Sequence, residues 1–340
     1  MSFEKPTNQT PSEEPKMSRR DFLKKSLIAG ALLTAEALIP EKLIAGNEQL
    51  NKYLSQNNIE KMPAESLEDI REELYKKSLT EENEQRAIIV KEKGSYKKIS
   101  DEKMGESSPV SFASDPRLIN ALWGEDMEKF EEFHDTHTHN EKARLDIYQG
   151  NGWKYPARKT TIPPSTTDFM NWTRNIFLGL SMNKVRVENF DKLPGRWGVE
   201  EPGASWRIKP ALDPKESPEN QGMVKILVEM NDSLERINGY SDRMIDLYIE
   251  RMDNTEIPKI IGVNITKEQL KTMDRAEKNL SIWLYYQASL GTSFLDMTDS
   301  LESATKKIME NPNPGKDDEL IKKFQESASK WGFQIDCVKR

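Results

Sequence analysis

Residues 134–139 read HDTHTH, and this stretch contains every histidine of the 340-residue chain. Successive side chains of a β-strand point to opposite faces of its sheet. In a strand, Asp135, His137 and His139 would therefore share one face, and His134 would point to the other. Two imidazoles on one face could bind the same metal ion, but a metal site also needs a third ligand. Any histidine-based metal site must be built on this stretch, with a carboxylate completing the ligand set.

Short strands and helices alternate around the histidines, which predicts an α+β domain over residues 81–212. The β-branched run at 87–90 is followed by a turn at 93–94, so residues 96–99 can pair back as a hairpin. Further strand candidates are residues 110–112, 185–187, 197–199 and 206–208. Helix candidates are residues 114–133, with Phe133 as the last apolar position, and residues 169–180.

The flanking regions are predicted to be helical. Residues 47–80 are interpreted as a helical linker in which Ser66 is the N-cap. Over residues 213–312, apolar side chains recur with the 4-3 spacing of a heptad seam in two segments, which predicts a long antiparallel helical hairpin. Ser241 fills one position of the first seam, and Met244 fills another. Residues 313–340 are expected to form a C-terminal helix and tail.

Composition excludes several classes of function. The chain has 50 Lys and Arg against 57 Asp and Glu, a net charge of −7, which argues against nucleic acid as its partner because phosphate binding needs a basic face. The lone cysteine, Cys337, excludes an intramolecular disulfide and a cysteine-based zinc site. A metal site of this chain therefore has to use nitrogen and oxygen ligands.

Residues 18–24, SRRDFLK, resemble a twin-arginine (Tat) export signal. The apolar stretch that follows, residues 27–35, is too short to span a bilayer but fits the apolar region of a signal peptide. Residues 1–46 are therefore predicted to be a signal with its polar leader, and the protein is expected in the periplasm or at the cell surface. Membrane contact is expected only through this segment, as a tether if it is not cleaved. A cytosolic amphipathic helix is the alternative.

Two other positions could complete a site with the histidines. Asp168 lies in the sequence PSTTD (164–168) at the start of a predicted helix, where it could supply the carboxylate, and Ser165 lies one turn earlier. Glu84 lies just before the strand predicted at 87–90.

This order of residues resembles the JAB/MPN family of zinc metallopeptidases, the JAMM type. The family pattern is a Glu at an early strand, then H-[ST]-H, then S-x-x-D leading into a helix, and Glu84, residues 137–139 and residues 165–168 match it in order. The resemblance implies that His137, His139 and Asp168 bind Zn²⁺, that Glu84 deprotonates the attacking water, and that Ser165 hydrogen-bonds the oxyanion. It further implies a cytidine-deaminase-like α/β domain that hydrolyses peptide or isopeptide-type amides in a peptide or protein substrate.

Other interpretations stay open at this point. The histidines could lie in a solvated loop, and Ser165 and Asp168 could simply cap a helix. Residues 135–139 also fit the D-x-H-x-H pattern of amidohydrolases, but that family needs later histidines, which this chain lacks. The alternative class of protein is an exported, non-catalytic binding or scaffold protein, in which the helical hairpin binds a partner or a second copy.

Overall fold

The computed structural model describes residues 66–81, 84–103, 130–140, 161–183, 195–201, 203–211, 222–252, 267–286 and 291–340, with positions 149 and 152. The predicted signal segment and the strands predicted at 110–112 and 185–187 lie outside these residues. Within them the chain is a mixture of helices and strands, so the predicted α+β class is confirmed.

The described elements follow one another along the chain with these bounds. They are α1 (Leu67–Thr80), β1 (Gln85–Glu92), β2 (Ser95–Lys103), β3 (Glu132–Thr138), α2 (Thr166–Asn183), β4 (Arg196–Glu201), β5 (Ala204–Pro210), α3 (Gly222–Asn238), α4 (Asp242–Arg251), α5 (Lys267–Thr272), α6 (Arg275–Tyr285), α7 (Thr292–Met309), a 3₁₀ turn (Pro314–Lys316), α8 (Asp317–Ser329) and β6 (Phe333–Lys339).

The six described strands form one sheet in the order β2-β1-β3-β4-β5-β6. Only β3 and β4 run parallel, and the other neighbours are antiparallel. A parallel pair needs a long crossover connection, and α2 lies within the one that joins β3 to β4. The carboxyl ends of β3 and β4 therefore meet at the same edge of the sheet, beside the start of β1.

The hairpin of β1 and β2 forms as predicted, because its turn chemistry matches its strands. Glu92 pairs with Ser95, which leaves Lys93 and Gly94 as a two-residue loop. Both loop residues have positive φ (51° and 77°), as a type I′ turn requires. The β-branched residues of β1 are fully buried, so this strand lies in the interior of the sheet.

Helix α1 covers one face of the sheet. Ser66 is its N-cap, as predicted, and its side chain accepts a hydrogen bond from the backbone N–H of Asp69 at 3.1 Å. Ile70 and Leu74 pack against Ala87 and Ile89 of β1. The helix interpreted from sequence as a linker thus contributes to the core of the sheet domain.

The opposite face is covered by α2 and α8 through an aromatic core. Trp172 of α2 stacks on Trp197 of β4, with ring centroids 5.4 Å apart and planes inclined by 24°. Phe169 of α2 makes edge contacts with Phe324 of α8 and Phe333 of β6. Large buried rings contribute much of the hydrophobic stabilisation of a core, so they hold α2 firmly against the sheet.

The region predicted as a hairpin of two long helices is divided into five shorter ones in the described residues. Ser241 does not fill a seam position but caps α4, accepting from the N–H of Met244, and the Met244 side chain is 41% exposed. Asp274 and Gly291 stand directly before α6 and α7. Serine, aspartate and glycine favour helix boundaries, and this local preference outweighs the heptad spacing of the apolar residues.

Helices α6 and α7 nevertheless pack against α3. Trp283 of α6 donates its indole N–H to Ser233 of α3 at 3.1 Å. Glu229 of α3 accepts hydrogen bonds from the backbone N–H and the hydroxyl of Ser293 at the start of α7, at 2.8 and 2.7 Å. Any side chain at Gly291 would collide with Glu229, which makes glycine necessary at this contact. None of the described helices is both long and apolar enough to cross a bilayer.

Two further expectations are corrected. Phe133 belongs to β3 rather than to the predicted helix, because β3 begins at Glu132 and Phe133 pairs with Val90. Residues 333–339 form the edge strand β6 instead of a tail, and Cys337 lies in this strand opposite Trp206. The signal that sequence reasoning missed is the alternation of Phe333 and Ile335 with polar residues, which places the two apolar side chains in the core.

Candidate metal centre

Strand β3 carries His134 and His137, His139 follows directly after it, and all three are buried. Their exposed fractions are 2% for His134, 1% for His137 and 3% for His139, so the interpretation as a solvated loop is wrong. His137 pairs with Val199 of β4, and the backbone N–H of His139 donates to the carbonyl oxygen of Glu200 at 2.8 Å. Both rings therefore stand at the carboxyl end of β3, on the face that α2 covers.

Helix α2 brings Asp168 to the two histidines. The Asp168 carboxylate accepts the backbone N–H of Ser165 at 2.7 Å, and the Ser165 hydroxyl oxygen accepts the backbone N–H of Asp168 at 3.2 Å. These reciprocal bonds form a capping box, which starts the helix at this point. The interpretation of Ser165 and Asp168 as a helix cap is thus confirmed. The same carboxylate faces His137 and His139, so capping does not prevent Asp168 from being a metal ligand.

The three donor groups meet at distances that suit one ion. Nε2 of His137 and Nε2 of His139 are 3.1 Å apart, and each lies 3.4 Å from an oxygen of Asp168. Ligands bound tetrahedrally at zinc–nitrogen distances of 2.0–2.1 Å are about 3.3 Å from one another. The side chains are buried and their ligand atoms all lie within 4.8 Å of one another, so this triad could hold a metal ion.

The electrostatics of the site show strong coupling between its members. Burial disfavours protonation of His139, but hydrogen bonding and charge from Asp168, with the charges of Glu84 and Glu201, outweigh it and raise the pKa of His139 to about 9. Burial alone would raise the pKa of Asp168, yet the two histidines hold it far below its usual range. The carboxylate is therefore ionised and can bind a cation.

The two remaining residues of the sequence prediction lie at the rim. Glu84 immediately precedes β1, two residues before Arg86, which pairs with His137. Its charge contributes to the raised pKa of His139, and its side chain is half-buried. The half-buried Ser165 donates its hydroxyl to Asp168 at 2.8 Å, so here it orients the carboxylate. The structure thus brings together His137, His139 and Asp168, with Ser165 bonded to Asp168, and the charge of Glu84 acts on His139.

Sequence reasoning missed an ion pair next to the site. Arg86 donates two hydrogen bonds to Asp135, from Nε at 2.8 Å and from Nη2 at 2.7 Å, and both side chains are 2% exposed. Asp135 shares the face of the histidines, as predicted, but it binds this guanidinium. Only the pairing of β1 with β3, which brings Arg86 opposite His137, shows that the two charges meet.

The third histidine lies on the opposite face, as predicted. Nε2 of His134 is 3.0 Å from Glu132, and Nδ1 is 3.4 Å from the guanidinium of Arg71 in α1. Burial and the charge of Arg71 lower the pKa of His134 to about 4, against the opposing effect of Glu132. This ring is therefore neutral at pH 7 and belongs to the packing of α1 on the sheet.

Comparison of the chain with protein-family models, with curated proteins and with solved structures gives no match.

The environment of His134 predicts a loss of stability in acid. Its pKa is about 4 in the folded protein and about 6.5 in an unfolded chain, so between these values the unfolded chain binds a proton that the folded protein excludes. Between pH 7 and pH 5 we expect the free energy of unfolding of wild type to fall on the order of 2 kcal/mol further than that of His134→Gln. Urea denaturation at the two pH values measures the difference, and an identical pH dependence would contradict the prediction.

Proposed function

We propose that this protein is an exported zinc-dependent hydrolase that cleaves a peptide or isopeptide-type amide. The observation that carries the proposal is the buried triad of His137, His139 and Asp168, whose donor atoms are spaced for one ion. The ordered match of the sequence to the JAMM pattern supports the reaction class. The assignment of the sheet domain to a JAMM-like, cytidine-deaminase-like fold is part of the same proposal.

The donor set favours zinc. Two imidazole nitrogens and one carboxylate oxygen form a ligand set typical of zinc hydrolases, with a position left for water or substrate. A zinc ion at such a site lowers the pKa of water to about 7 and polarises a carbonyl group. The protein's contribution is to present the three donors at fixed distances in a buried setting.

The residues at the rim have distinct roles in this proposal. We assign to Glu84, which is half-buried and whose charge contributes to the raised pKa of His139, the role of accepting a proton from water and passing it to a leaving amine. Ser165 holds Asp168 in place through its hydroxyl. In the proposed reaction the hydroxyl proton turns from Asp168 to the oxyanion that forms when water attacks the substrate carbonyl, while the backbone N–H of Ser165 keeps its hydrogen bond to Asp168.

The second candidate function is an exported binding or scaffold protein without catalysis. Three apolar side chains on α3 and α4 favour it, since Val228, Met244 and Leu247 are 53%, 41% and 45% exposed. In this candidate function the three side chains, on helices that are consecutive in the chain, form an apolar surface that binds a partner or a second copy. The two candidates differ in whether the metal-loaded protein hydrolyses amides.

Metal analysis tests the centre directly. We expect purified wild type to retain about one zinc ion per chain, and His137→Ala, His139→Ala and Asp168→Ala to lose it, because each removes one of three ligands. The matched control is His134→Gln, which changes a histidine of the same strand on the opposite face and should retain the metal. Elemental analysis by plasma mass spectrometry gives the content. Equal content in wild type and His137→Ala would refute the site.

Hydrolysis tests the role of Glu84. We expect Glu84→Gln, fully loaded at saturating zinc, to lose at least about 100-fold in rate, the usual contribution of a general base. The assay supplies peptides and isopeptide-linked lysine substrates to the zinc-loaded protein and detects new amines by mass spectrometry. Glu81→Gln is the control. Glu81 is the C-cap residue of α1, and the backbone hydrogen bonds that it makes there, to Lys77 and from Asn140, are kept in this variant. Absence of hydrolysis by wild type would favour the binding protein instead.

Export is supported by the twin-arginine sequence at residues 18–24. We expect joint replacement of Arg19 and Arg20 by lysine to retain the protein in the cytoplasm of a bacterium that has the Tat pathway. Immunoblots of cell fractions measure the distribution. An unchanged distribution of the double variant would argue against Tat-dependent export.

A further inference from the structure

We propose that Glu201 is a positioning residue of the metal centre, which holds the loop that delivers Asp168 to the two histidines. This inference rests on the proposed metal centre, and neither the JAMM pattern nor the sequence prediction includes Glu201.

The pairing of β3 with β4 places Glu201 beside the site. Val199 pairs with His137, and Glu200 pairs with Thr138, so the last residue of β4 lies next to His139. Side chains alternate along β4, and Trp197 stacks on α2. Glu201 has the same parity as Trp197 and Val199, so it faces α2 and the histidines.

The neighbouring Glu200 shows the contrast between the two faces. It faces α1, where it accepts hydrogen bonds from Ser205 at 2.6 Å, from Arg340 at 2.6 Å and from Arg207. Both glutamates are 0% exposed. The two adjacent buried carboxylates at the end of β4 therefore lie on opposite faces of the sheet, Glu200 toward α1 and Glu201 toward α2.

The contact that carries the proposal joins Glu201 to the chain just before Asp168. Oε1 of Glu201 accepts a hydrogen bond from the backbone N–H of Ile162 at 2.9 Å, and Ile162 is 1% exposed. A buried hydrogen bond to a charged group is stronger than a neutral one, and its loss leaves the donor without its partner. Glu201 thus fixes one end of the loop formed by residues 162–165.

The rest of this loop has little freedom. Pro163 and Pro164 follow Ile162, and the proline ring fixes φ at each of them. Ser165 then begins the capping box with Asp168. With Ile162 held by β4 and Ser165 held by α2, the rigid segment between them sets where the carboxylate stands relative to β3.

The negative charge of Glu201, like its hydrogen bond to Ile162, favours binding of a cation at the site. It contributes, with Asp168 and Glu84, to the negative environment in which His139 lies. Coulomb attraction from a nearby carboxylate stabilises a buried divalent cation even when the carboxylate is not a ligand. Residues that orient or polarise the ligands of a metal commonly change its affinity by 10–100-fold when they are replaced.

The test measures Zn²⁺ affinity of the full chain by competition with a chromophoric chelator. Glu201→Met removes the acceptor and the charge and should weaken binding by 10–100-fold. Glu201→Gln keeps an oxygen that accepts from Ile162 and loses the charge, so it should weaken binding clearly less. The control is Glu200→Gln, which alters an equally buried glutamate facing α1 and should leave the affinity unchanged. Glu201→Leu replaces Glu201→Met if the latter does not fold.

A second measurement examines the loop itself, without metal. Hydrogen exchange of the Ile162 amide should be slow in wild type and in Glu201→Gln, and fast in Glu201→Met. Wild-type affinity in Glu201→Met, or equal losses in Glu201→Met and Glu201→Gln, would overturn the positioning role while leaving the metal centre intact. A wild-type protein that binds no zinc would instead refute the proposed function, and the inference with it.

Discussion

The alternation of side chains along β3 sends Asp135, His137 and His139 to the face under α2, and sends His134 to the face under α1. Strands β1 and β4 are both hydrogen-bonded to β3 in a fixed register, so their side chains alternate between the same two faces. Arg86 of β1 meets Asp135 on one face, and the end of β4 offers one carboxylate to each face. A shift of β3 by one residue would exchange every one of these partners, so the register of the sheet is the condition for the site.

The N-terminus of α2 combines two requirements in one group of atoms. Asp168 begins the helix by accepting the N–H of Ser165, and its carboxylate also faces the histidines. The aromatic contacts of Trp172 and Phe169 then hold the helix on the sheet. The packing of α2 on the sheet and the loop held by Glu201 thus act together to position the carboxylate.

Sequence reasoning succeeded where the controlling interactions are local. The histidine alternation, the Ser165–Asp168 cap and the turn at residues 93–94 depend on residues close together in the chain. Glu201 and the Arg86–Asp135 pair could not be found in this way, because they depend on which strands become neighbours and in what register.

The helices show the same limit. Heptad spacing predicted two long helices, but spacing reports only which side chains can be buried together. Where a helix starts and stops is decided by residues such as Ser241 and Gly291, which cap one helix or admit a neighbouring side chain. Apolar residues of the shorter helices, such as Leu227, Met297 and Leu301, are still buried. The spacing of apolar residues therefore indicated which side chains pack in the core, but not where each helix ends.

The metal-ligand candidates His139 and Asp168 are far apart in the sequence, and this separation affects the conformational entropy of the chain. His139 directly follows β3 and Asp168 lies in the first turn of α2, so an ion bound to both would close the intervening segment into a ring. Closing a ring of this size removes conformational entropy from the unfolded chain, worth about 3 to 4 kcal/mol in the loop-closure description used for disulfides. With a single cysteine, the chain cannot form an internal disulfide, and a bound metal ion would be another way to cross-link these two segments.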